Sequence, residues 1–197
     1  MKILITAFDP FGGEKTNASL EVLKRIDAPA GVELCKLQLP TVFRRAGELL
    51  LKEIRKTGPD AVICLGQAAG RSAVTPERAA LNIRDASIPD NEGNQPVDEA
   101  VIPGGPTAYF SPLPLREMVN AALSAGIPSS VSNSAGTFVC NDVMYTLLHA
   151  AANEFPGLLG GFIHVPACSF SEKTAEISIL PAEKAVEAIK AMLAVLR

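Results

Sequence analysis

Residues that can supply a nucleophile and a base near neutral pH are scarce in this chain. Its 197 residues include four cysteines and two histidines, namely Cys35, Cys64, Cys140, Cys168, His149 and His164. A thiol beside an imidazole forms a nucleophile–base pair in which the imidazole accepts the thiol proton. Four cysteines and two histidines give eight such pairs, few enough to compare by the position of each residue on its predicted element.

Cys140 lies at the start of a predicted helix. A strand is predicted over residues 129–133, Gly136 permits a sharp turn, and a helix begins between Thr137 and Cys140. The free N–H groups and the positive end of a helix N-terminus favour a thiolate. The same N–H groups can hold a developing oxyanion. Cys140 is therefore the leading candidate for a nucleophile.

His164 is the leading candidate for a base, because it lies at the far end of a predicted buried strand over residues 159–165. His149 follows Cys140 by nine residues on one predicted helix. At about 100° per residue, those two side chains lie on opposite faces of the helix.

The other cysteines are weaker candidates. Cys35 and Cys64 lie within apolar runs and are predicted to be buried thiols, and Cys168 is only four residues from His164. Cys140 with His164 remains, although a structural cysteine and a hydrogen-bonded histidine would explain the pattern equally well. A carboxylate could orient the imidazole. Spacing does not choose among Glu77, Asp85, Asp90, Glu92 and Asp142.

The elements that must position these residues alternate between strand and helix. Apolar runs predict strands over residues 2–7, 32–39, 60–66, 129–133 and 159–165. Helical periodicity predicts helices over 17–26, from Pro40-Thr41 to Gly58-Pro59, and over 114–125, 137–153 and 181–197. Residues 67–84 could hold a short strand or hairpin, and residues 85–112 are predicted to be mostly loop. This alternation predicts one α/β domain over residues 1–197, with a largely parallel sheet and helices on both faces.

Composition narrows the class of protein. The chain is 48% hydrophobic and 20% charged, and its net charge is −3. Without a basic run, nucleic acid is not expected as a partner. No apolar stretch approaches the ~18–20 residues that span a bilayer, and the N-terminal run is too short for a signal-peptide core. The cysteine spacing does not resemble a disulfide framework. A cytoplasmic protein with reduced cysteines is expected.

Several cofactor motifs are missing from the sequence. Neither a dinucleotide-binding glycine pattern nor a phosphate-binding P-loop occurs. His164 and Cys168 have ligand-like spacing, but no second pair completes a tetrahedral zinc site. We therefore expect no metal.

Five motifs in order carry a resemblance to a known family. They are Phe8-Asp9-Pro10-Phe11-Gly12-Gly13, Pro76-Glu77-Arg78-x-Ala80-x-Asn82, Ile88-Pro89-Asp90-Asn91-x-Gly93, Ser134-Ala135-Gly136-Thr137-Phe138-Val139-Cys140-Asn141 and Gly161-Phe162-Ile163-His164-Val165-Pro166. Together they resemble the pyroglutamyl peptidase I family of cysteine peptidases, also called pyrrolidone-carboxylate peptidases. The resemblance extends from residue 1 to about residue 166.

The resemblance implies a triad with Cys140 as nucleophile, His164 as base and Glu77 as the orienting carboxylate. It implies removal of an N-terminal pyroglutamyl residue from small peptides, without a metal or an organic cofactor. It also implies a single α/β/α sandwich, commonly assembled as a homotetramer. The positions that match the family's apolar lactam pocket are Phe8, Phe11, Thr41, Ile88, Phe138 and Val139, and the backbone at Gln67 matches the group that hydrogen-bonds the lactam.

The chain departs from the family pattern at three positions before Pro166. Ser87 stands where relatives often carry Arg, Asn133 where Tyr is commoner, and Ala18 interrupts the usual Asn-Pro-Ser. The residues that follow Pro166 also lack the family's usual Tyr.

One alternative function is that of an enzyme or binder similar to nucleoside phosphorylases, since this fold class hosts many functions. The other is an inactive binding protein whose pocket these changes have altered.

Overall fold

A five-stranded, mostly parallel sheet forms the centre of the fold. The computed structural model describes residues 1–169 and 180–196. Its elements in chain order are β1 (Lys2–Phe8), α1 (Ala18–Arg25), β2 (Glu33–Leu39), α2 (Arg45–Thr57), β3 (Ala61–Gln67), β4 (Thr75–Pro76), β5 (Ala79–Leu81), β6 (Ala108–Phe110), α3 (Leu115–Ser124), α4 (Val139–Asn153), β7 (Leu159–Val165), β8 (Cys168–Ser169), β9 (Leu180–Pro181) and α5 (Ala182–Ala194). The central sheet has the strand order β2-β1-β3-β7-β4. β1, β2, β3 and β7 are parallel, and the edge strand β4 is antiparallel to β7.

The inner strands are apolar because helices cover both faces of the sheet. The first six of the seven residues of β3 are buried, and the last, Gln67, is half-buried. Near-continuous apolar runs are typical of parallel strands covered on both faces. β2 lies at the edge, and its exposure varies along the strand. Cys35 on β2 is therefore half-buried, whereas a buried thiol was expected.

Two helical layers enclose the sheet. α1, α3 and α5 pack on the face that carries Ile3 and Ile63, and α2 and α4 pack on the face that carries Leu4 and Phe162. Successive residues of a strand point to opposite faces, so β1 contributes to both cores. The predicted α/β/α sandwich with a largely parallel sheet is confirmed. In the described part of the chain, no helix has the length and apolar character needed to span a membrane.

The second helix begins later than its sequence predicts. α2 begins at Arg45, whereas the pattern predicted a helix opened by Pro40-Thr41. Arg44 has a φ of 62°, in the left-handed region that a non-glycine residue rarely adopts. That conformation is incompatible with a continuous right-handed helix, so residues 40–44 form a connection between β2 and α2.

Two carboxylates from distant parts of the chain hold this connection. Asp90 Oδ2 accepts a hydrogen bond from the Phe43 N–H at 2.9 Å, and Asp142 Oδ2 accepts one from the Arg44 N–H at 2.8 Å. Both acceptors are buried. The satisfied backbone donors stabilise the non-helical conformation, which local sequence patterns cannot anticipate.

The strand predicted over residues 129–133 is wrong. These residues make isolated bridges, Ser129 to Val74 and Ser132 to Glu77, and they belong to no strand of the sheet. Cys140 is therefore approached through an irregular segment. The two bridges are made by Val74 and Glu77, which lie on either side of the two-residue strand β4.

A buried ion pair connects the long middle segment to α4. Arg84 Nε donates to Asp142 Oδ1 at 2.6 Å, and Arg84 Nη1 donates to the Ala100 carbonyl at 3.0 Å. Both charged side chains are nearly inaccessible to solvent. Burial raises the pKa of Asp142 above its ordinary value, even though the Arg84 charge opposes that shift. The pair anchors the backbone around residue 100 beside the first turn of α4.

Replacing Arg84 should destabilise the protein strongly. Arg84→Ala leaves Asp142 buried without this cation, and breaking such a pair costs about 3–5 kcal/mol of unfolding free energy. We expect a value near the lower end of that range, because a carboxyl with a raised pKa can take up a proton. Arg45→Ala is the matched control, since its ion pair with Glu92 is exposed and such pairs contribute about 0–1 kcal/mol. Urea unfolding measures the loss of unfolding free energy in each variant. Equal losses in Arg84→Ala and Arg45→Ala would contradict the stabilising role of the buried ion pair.

Candidate active site

Cys140 is the second residue of α4, and its thiol lies against the end of β3. A Cβ atom placed on Gly66 would stand 2.9 Å from Cys140 Sγ and 2.7 Å from the Phe162 ring. Those distances are too short for any side chain at residue 66. Glycine there allows the start of α4 to approach the sheet closely.

His164 projects toward the face of the sheet that carries this thiol. Gly66 on β3 is the direct register partner of His164 on β7. Partners in a parallel ladder point to the same face of the sheet, so the imidazole projects to the face on which the Cys140 thiol lies. The Phe162 ring contacts the imidazole, with centroids 4.9 Å apart. The structure thus places the two residues that the sequence paired on one face of the sheet.

Glu77 reaches the imidazole from the sheet edge. It follows β4 directly, and its N–H donates to the Phe162 carbonyl on β7 at 2.9 Å. Its side chain is therefore a diagonal neighbour of His164 across the β4–β7 pair. Glu77 Oε1 lies 2.7 Å from His164 Nδ1, and both side chains are buried. Of the five carboxylates that spacing left open, this is the one bonded to the imidazole.

The protonation of this pair follows from its surroundings. Burial alone would raise the pKa of Glu77, but the nearby His164, followed by Ser132 and Arg71, holds that pKa below its ordinary value. Burial lowers the pKa of His164 more than Glu77 raises it. An ionised carboxylate can only accept a hydrogen bond, so Nδ1 carries the proton of the neutral ring. Nε2 is left as the basic nitrogen.

Burial opposes the stabilisation of a thiolate that the helix N-terminus was expected to provide. Burial, reinforced by the negative charge of Glu77, raises the pKa of the Cys140 thiol to about 12, although Arg71 and the Cys140 backbone N–H oppose the shift. The two pKa directions favour a thiol and a neutral imidazole at rest. In that state the thiol loses its proton to a base as it reacts.

The first turn of α4 presents free donors. Phe138 precedes the helix in an extended conformation without a side-chain cap. Among the described residues, the N–H groups of Val139, Cys140 and Asn141 donate to no carbonyl or side-chain oxygen, as expected for a helix N-terminus. The Asn141 side chain fixes this turn by bonding the Leu81 N–H and the carbonyls of Leu81 and Ile83. These donors can stabilise a negative oxygen near Cys140.

Three phenylalanine rings gather beside the start of α4. Phe138 lies 6.0 Å from Phe11 and 5.2 Å from Phe43, between ring centroids. Phe43 was not identified from the sequence as a site residue, because its spacing from Ala46, Leu50 and Ile54 fits the apolar face of a helix. Of the predicted lining residues, Ile88 is 44% exposed, whereas Phe8 and Val139 are buried.

Thr41 and Gln67 make backbone contacts. The Thr41 N–H and hydroxyl bond to Asp9 Oδ1 and to the Asp9 carbonyl, at 2.7 and 3.1 Å. Gln67 Oε1 accepts the N–H of Ala18 at 2.6 Å. The side chain of Gln67 thus holds the start of α1, and Ala18, a departure from the family pattern, is compatible with that contact.

Carboxylates and amides connect the loops around the aromatic cluster. Asn91 Nδ2 donates to Asp9 Oδ1 and to the Pro10 carbonyl, and the Asn91 N–H donates to the Thr41 carbonyl. Asp90 accepts from the backbone N–H groups of Phe43, Glu92 and Asn94. These bonds fix three loops to one another, namely the loop after β1, the loop after β2 and the loop that contains residue 90.

The remaining candidates have other partners. His149 bonds the Tyr109 hydroxyl at 3.0 Å and stacks on Tyr145, away from the thiol. Asp142 pairs with Arg84, Glu92 pairs with Arg45, and Asp85 is exposed. No group of three or more metal-binding side chains occurs among the described residues.

The remaining departures from the family pattern are exposed. Asn133 accepts a hydrogen bond from Arg78 Nε at 2.9 Å, and Ser87 lies exposed next to Ile88. The side chain of Cys168 lies outside the described residues, so its distance from His164 stays a prediction.

Comparison with known proteins adds independent findings. A family model described as pyroglutamyl peptidase matches residues 1–197. The chain is 48% identical over 198 residues to pyrrolidone-carboxylate peptidase of Levilactobacillus brevis, covering 100% of this chain and 96% of the relative. It is 53% identical over 167 residues to the Staphylococcus haemolyticus protein of that name, covering 84% and 79%.

Solved structures show the same similarity. Pyroglutamyl peptidase I of Bacillus amyloliquefaciens matches with a TM-score of 0.90 at 43% identity, over 97% of this chain and 94% of that one. A mutant pyrrolidone carboxyl peptidase of Pyrococcus furiosus matches with a TM-score of 0.93 at 41% identity, over 99% and 97%. The similarity therefore covers nearly the whole fold.

Gly66→Ala should damage the site while the chain still folds. The added methyl would overlap the Phe162 ring and Cys140 Sγ, and overpacking of this kind costs about 1–3 kcal/mol of unfolding free energy. The thiol must then shift, so its alkylation rate should change. Gly70→Ala is the control, because a Cβ there meets nothing within 4 Å. Thermal unfolding and iodoacetamide alkylation kinetics distinguish Gly66→Ala from Gly70→Ala. Equal unfolding temperatures and equal alkylation rates in the two variants would contradict the close approach of Cys140 to Gly66.

The alkylation rate of Cys140 should rise with pH without a plateau below about pH 9, because the thiolate is the reactive form and burial raises its pKa to about 12. Peptide mass mapping of iodoacetamide-treated protein separates Cys140 from the other cysteines, and Cys140→Ala supplies the blank. A plateau between pH 6 and 7 would instead indicate a preformed thiolate–imidazolium pair and contradict this prediction.

Proposed function

Because the chain belongs to the pyroglutamyl peptidase family of cysteine peptidases, which remove an N-terminal pyroglutamyl residue, we propose that Cys140, His164 and Glu77 are its catalytic triad. The observation that carries this proposal is the bond between Glu77 Oε1 and His164 Nδ1 at 2.7 Å, with the Cys140 thiol on the same sheet face. In the proposed roles, Cys140 is the nucleophile, His164 the base and Glu77 the group that orients the base.

The first half of the reaction forms a thioester. His164 Nε2 takes the Cys140 proton as Sγ attacks the pyroglutamyl carbonyl carbon that is bonded to the next residue. The N–H groups of the first turn of α4 hold the resulting oxyanion. The carbon–nitrogen bond then breaks, and the imidazolium gives its proton to the departing amine. Glu77 stabilises the transient imidazolium, as the acidic member of a triad does.

The second half hydrolyses the thioester. His164 Nε2 takes a proton from water as the water oxygen attacks the same carbonyl carbon. The carbon–sulfur bond breaks, and the imidazolium returns its proton to the sulfur. Pyroglutamate leaves with a free carboxyl group, and the thiol and neutral imidazole are restored.

The substrate's blocked N-terminus explains the selectivity that we propose. Pyroglutamate is an uncharged ring, so aromatic walls can bury it at little cost. An unmodified N-terminus would carry a charged amine, and burying that charge unpaired costs several kcal/mol of binding free energy. The rings of Phe11, Phe43 and Phe138 lie together beside Cys140. The residues that we propose to contact the pyroglutamyl ring are Phe8, Phe11, Thr41, Gln67, Ile88, Phe138 and Val139.

We also propose that the protein acts in the cytoplasm, as a homo-oligomer of four chains, on small peptides. Reduced cysteines suit that compartment, and the described cysteines, Cys35, Cys64 and Cys140, are free thiols. Exposed Phe110 and Val97 supply apolar surface that subunit contacts could cover.

Pyroglutamyl amide hydrolysis tests the function directly. Wild-type protein should release the fluorophore from a pyroglutamyl aminocoumarin, and Cys140→Ala should reduce the rate by more than about 1000-fold, as expected when a nucleophile is removed. Cys35→Ala should retain the rate, because Cys35 lies on the edge strand β2. A prolyl aminocoumarin, which has a charged amine, should not be cleaved.

Three other results would contradict the proposal. Phosphate-dependent nucleoside cleavage, without amide hydrolysis, would favour the phosphorylase-like alternative. Binding of pyroglutamate without turnover by the wild type would favour an inactive binding protein. Full turnover by Cys140→Ala would remove Cys140 from the mechanism.

A further inference from the structure

Glu77 has a second strong donor besides His164. Arg71 lies in the connection between β3 and β4, and its Nη1 donates to Glu77 Oε1 at 2.5 Å. The same oxygen accepts from His164 Nδ1 at 2.7 Å. The Glu77 side chain is fully buried, whereas the Arg71 side chain is 31% exposed. The carboxylate therefore lies between a buried imidazole and a partly exposed guanidinium.

The guanidinium is itself fixed in place. Arg71 Nη1 also donates to Thr75 Oγ1 at 2.5 Å, and Nη2 donates to the Ser134 carbonyl at 3.3 Å. One side chain thus connects β4, Glu77 and the segment that leads into α4. Arginine suits this position because its rigid, planar fork donates in several directions at once.

We propose that Arg71 is a positioning residue of the triad, which acts by holding Glu77 as a carboxylate directed at His164 Nδ1. This inference rests on the proposed function, because it assigns Arg71 a role in orienting the base. Arg71 does not contact the reacting thiol in this role, since it acts through Glu77.

The physical reason lies in the neutral resting state of His164. A buried carboxylate without a nearby cation tends to take up a proton. While the imidazole is neutral, Arg71 is the cation in contact with Glu77. A protonated Glu77 could donate to His164 Nδ1, which would move the ring proton to Nε2. The imidazole would then direct a proton, not a lone pair, toward the thiol, and it could not act as a base.

The groups that face Glu77 set the direction of the expected pH effect. They are His164 from β7, Arg71 from the β3–β4 connection, Cys140 from α4 and the Ser132 hydroxyl from residues 129–134. Arg71 lowers the pKa of Glu77 and also that of His164. Removing the Arg71 charge therefore raises both pKa values. A higher pH is then needed before an ionised Glu77 and a neutral His164 are present together.

Kinetics of Arg71→Met and Arg71→Lys test the proposal. For Arg71→Met, kcat should fall by about 10- to 100-fold, part of the ~10²–10⁴ that a positioned base contributes, while KM changes little. The acidic limb of kcat/KM should move to higher pH. Arg71→Lys, which keeps the charge but not the fork, should restore the position of that limb in part. Arg78→Met is the matched control, because Arg78 Nε bonds Asn133 and not the triad.

A purely structural role gives a different pattern. In that case Arg71→Met and Arg71→Lys would lose activity equally, with the wild-type pH profile and a lower unfolding temperature. That pattern would overturn the proposal. A fully active Arg71→Met with an unchanged profile would overturn it as well.

The tautomer of His164 gives a readout that does not depend on turnover. The chain has two histidines, so ¹⁵N-labelled histidine gives two sets of ring signals, and His149→Gln assigns them. Wild-type His164 should carry its proton on Nδ1, and Arg71→Met should shift the population toward Nε2–H. An unchanged tautomer in Arg71→Met would overturn the proposal even if pyroglutamyl amides are cleaved. A shifted tautomer would support the positioning role even if another amide is the substrate.

Discussion

The buried carboxylate of Glu77 is the group on which the rest of the candidate site depends. A carboxylate withdrawn from water is unstable unless donors replace its hydration. Glu77 Oε1 accepts hydrogen bonds from His164 and Arg71, and the residue is held by a backbone bond to β7. Because Glu77 directly follows the two-residue antiparallel edge strand β4, it fixes the imidazole, the partly exposed guanidinium and the edge of the sheet relative to one another.

Carboxylates also fix the backbone around the aromatic cluster. The loop that carries Phe43 has little regular structure of its own, and Asp9, Asp90 and Asp142 accept from its backbone N–H groups in place of a helix or a strand. Asn91 donates to the Pro10 carbonyl in the loop that carries Phe11. Apolar packing alone would not fix such loops, because it has no directional preference. Hydrogen bonds to charged acceptors are directional, so they hold the phenylalanine rings beside Cys140 in one arrangement.

The regular core was predictable from sequence, and the contacts between distant segments were not. β1, β3, β7 and α4 follow from apolar runs and periodicity, and the start of α4 placed Cys140. Glu77 and His164 are 87 residues apart, so spacing could not select this carboxylate, and the family resemblance was needed. Phe43 was assigned to a helix because the acceptors of its loop lie elsewhere in the chain. Arg71 gave no local signal, since its role depends on three contacts made only in the fold.

The resting protonation states follow from the number of charges that one apolar region can hold. A thiolate at Cys140 would lie near Glu77, and that negative charge is one reason why the thiol pKa is raised. The carboxylate that orients the base thus opposes early ionisation of the nucleophile. With a neutral thiol and a neutral imidazole, the buried charge is limited to Glu77 with its Arg71 partner. Charge then separates only as a substrate carbonyl becomes an oxyanion, at the point where the free N–H groups of α4 can stabilise it.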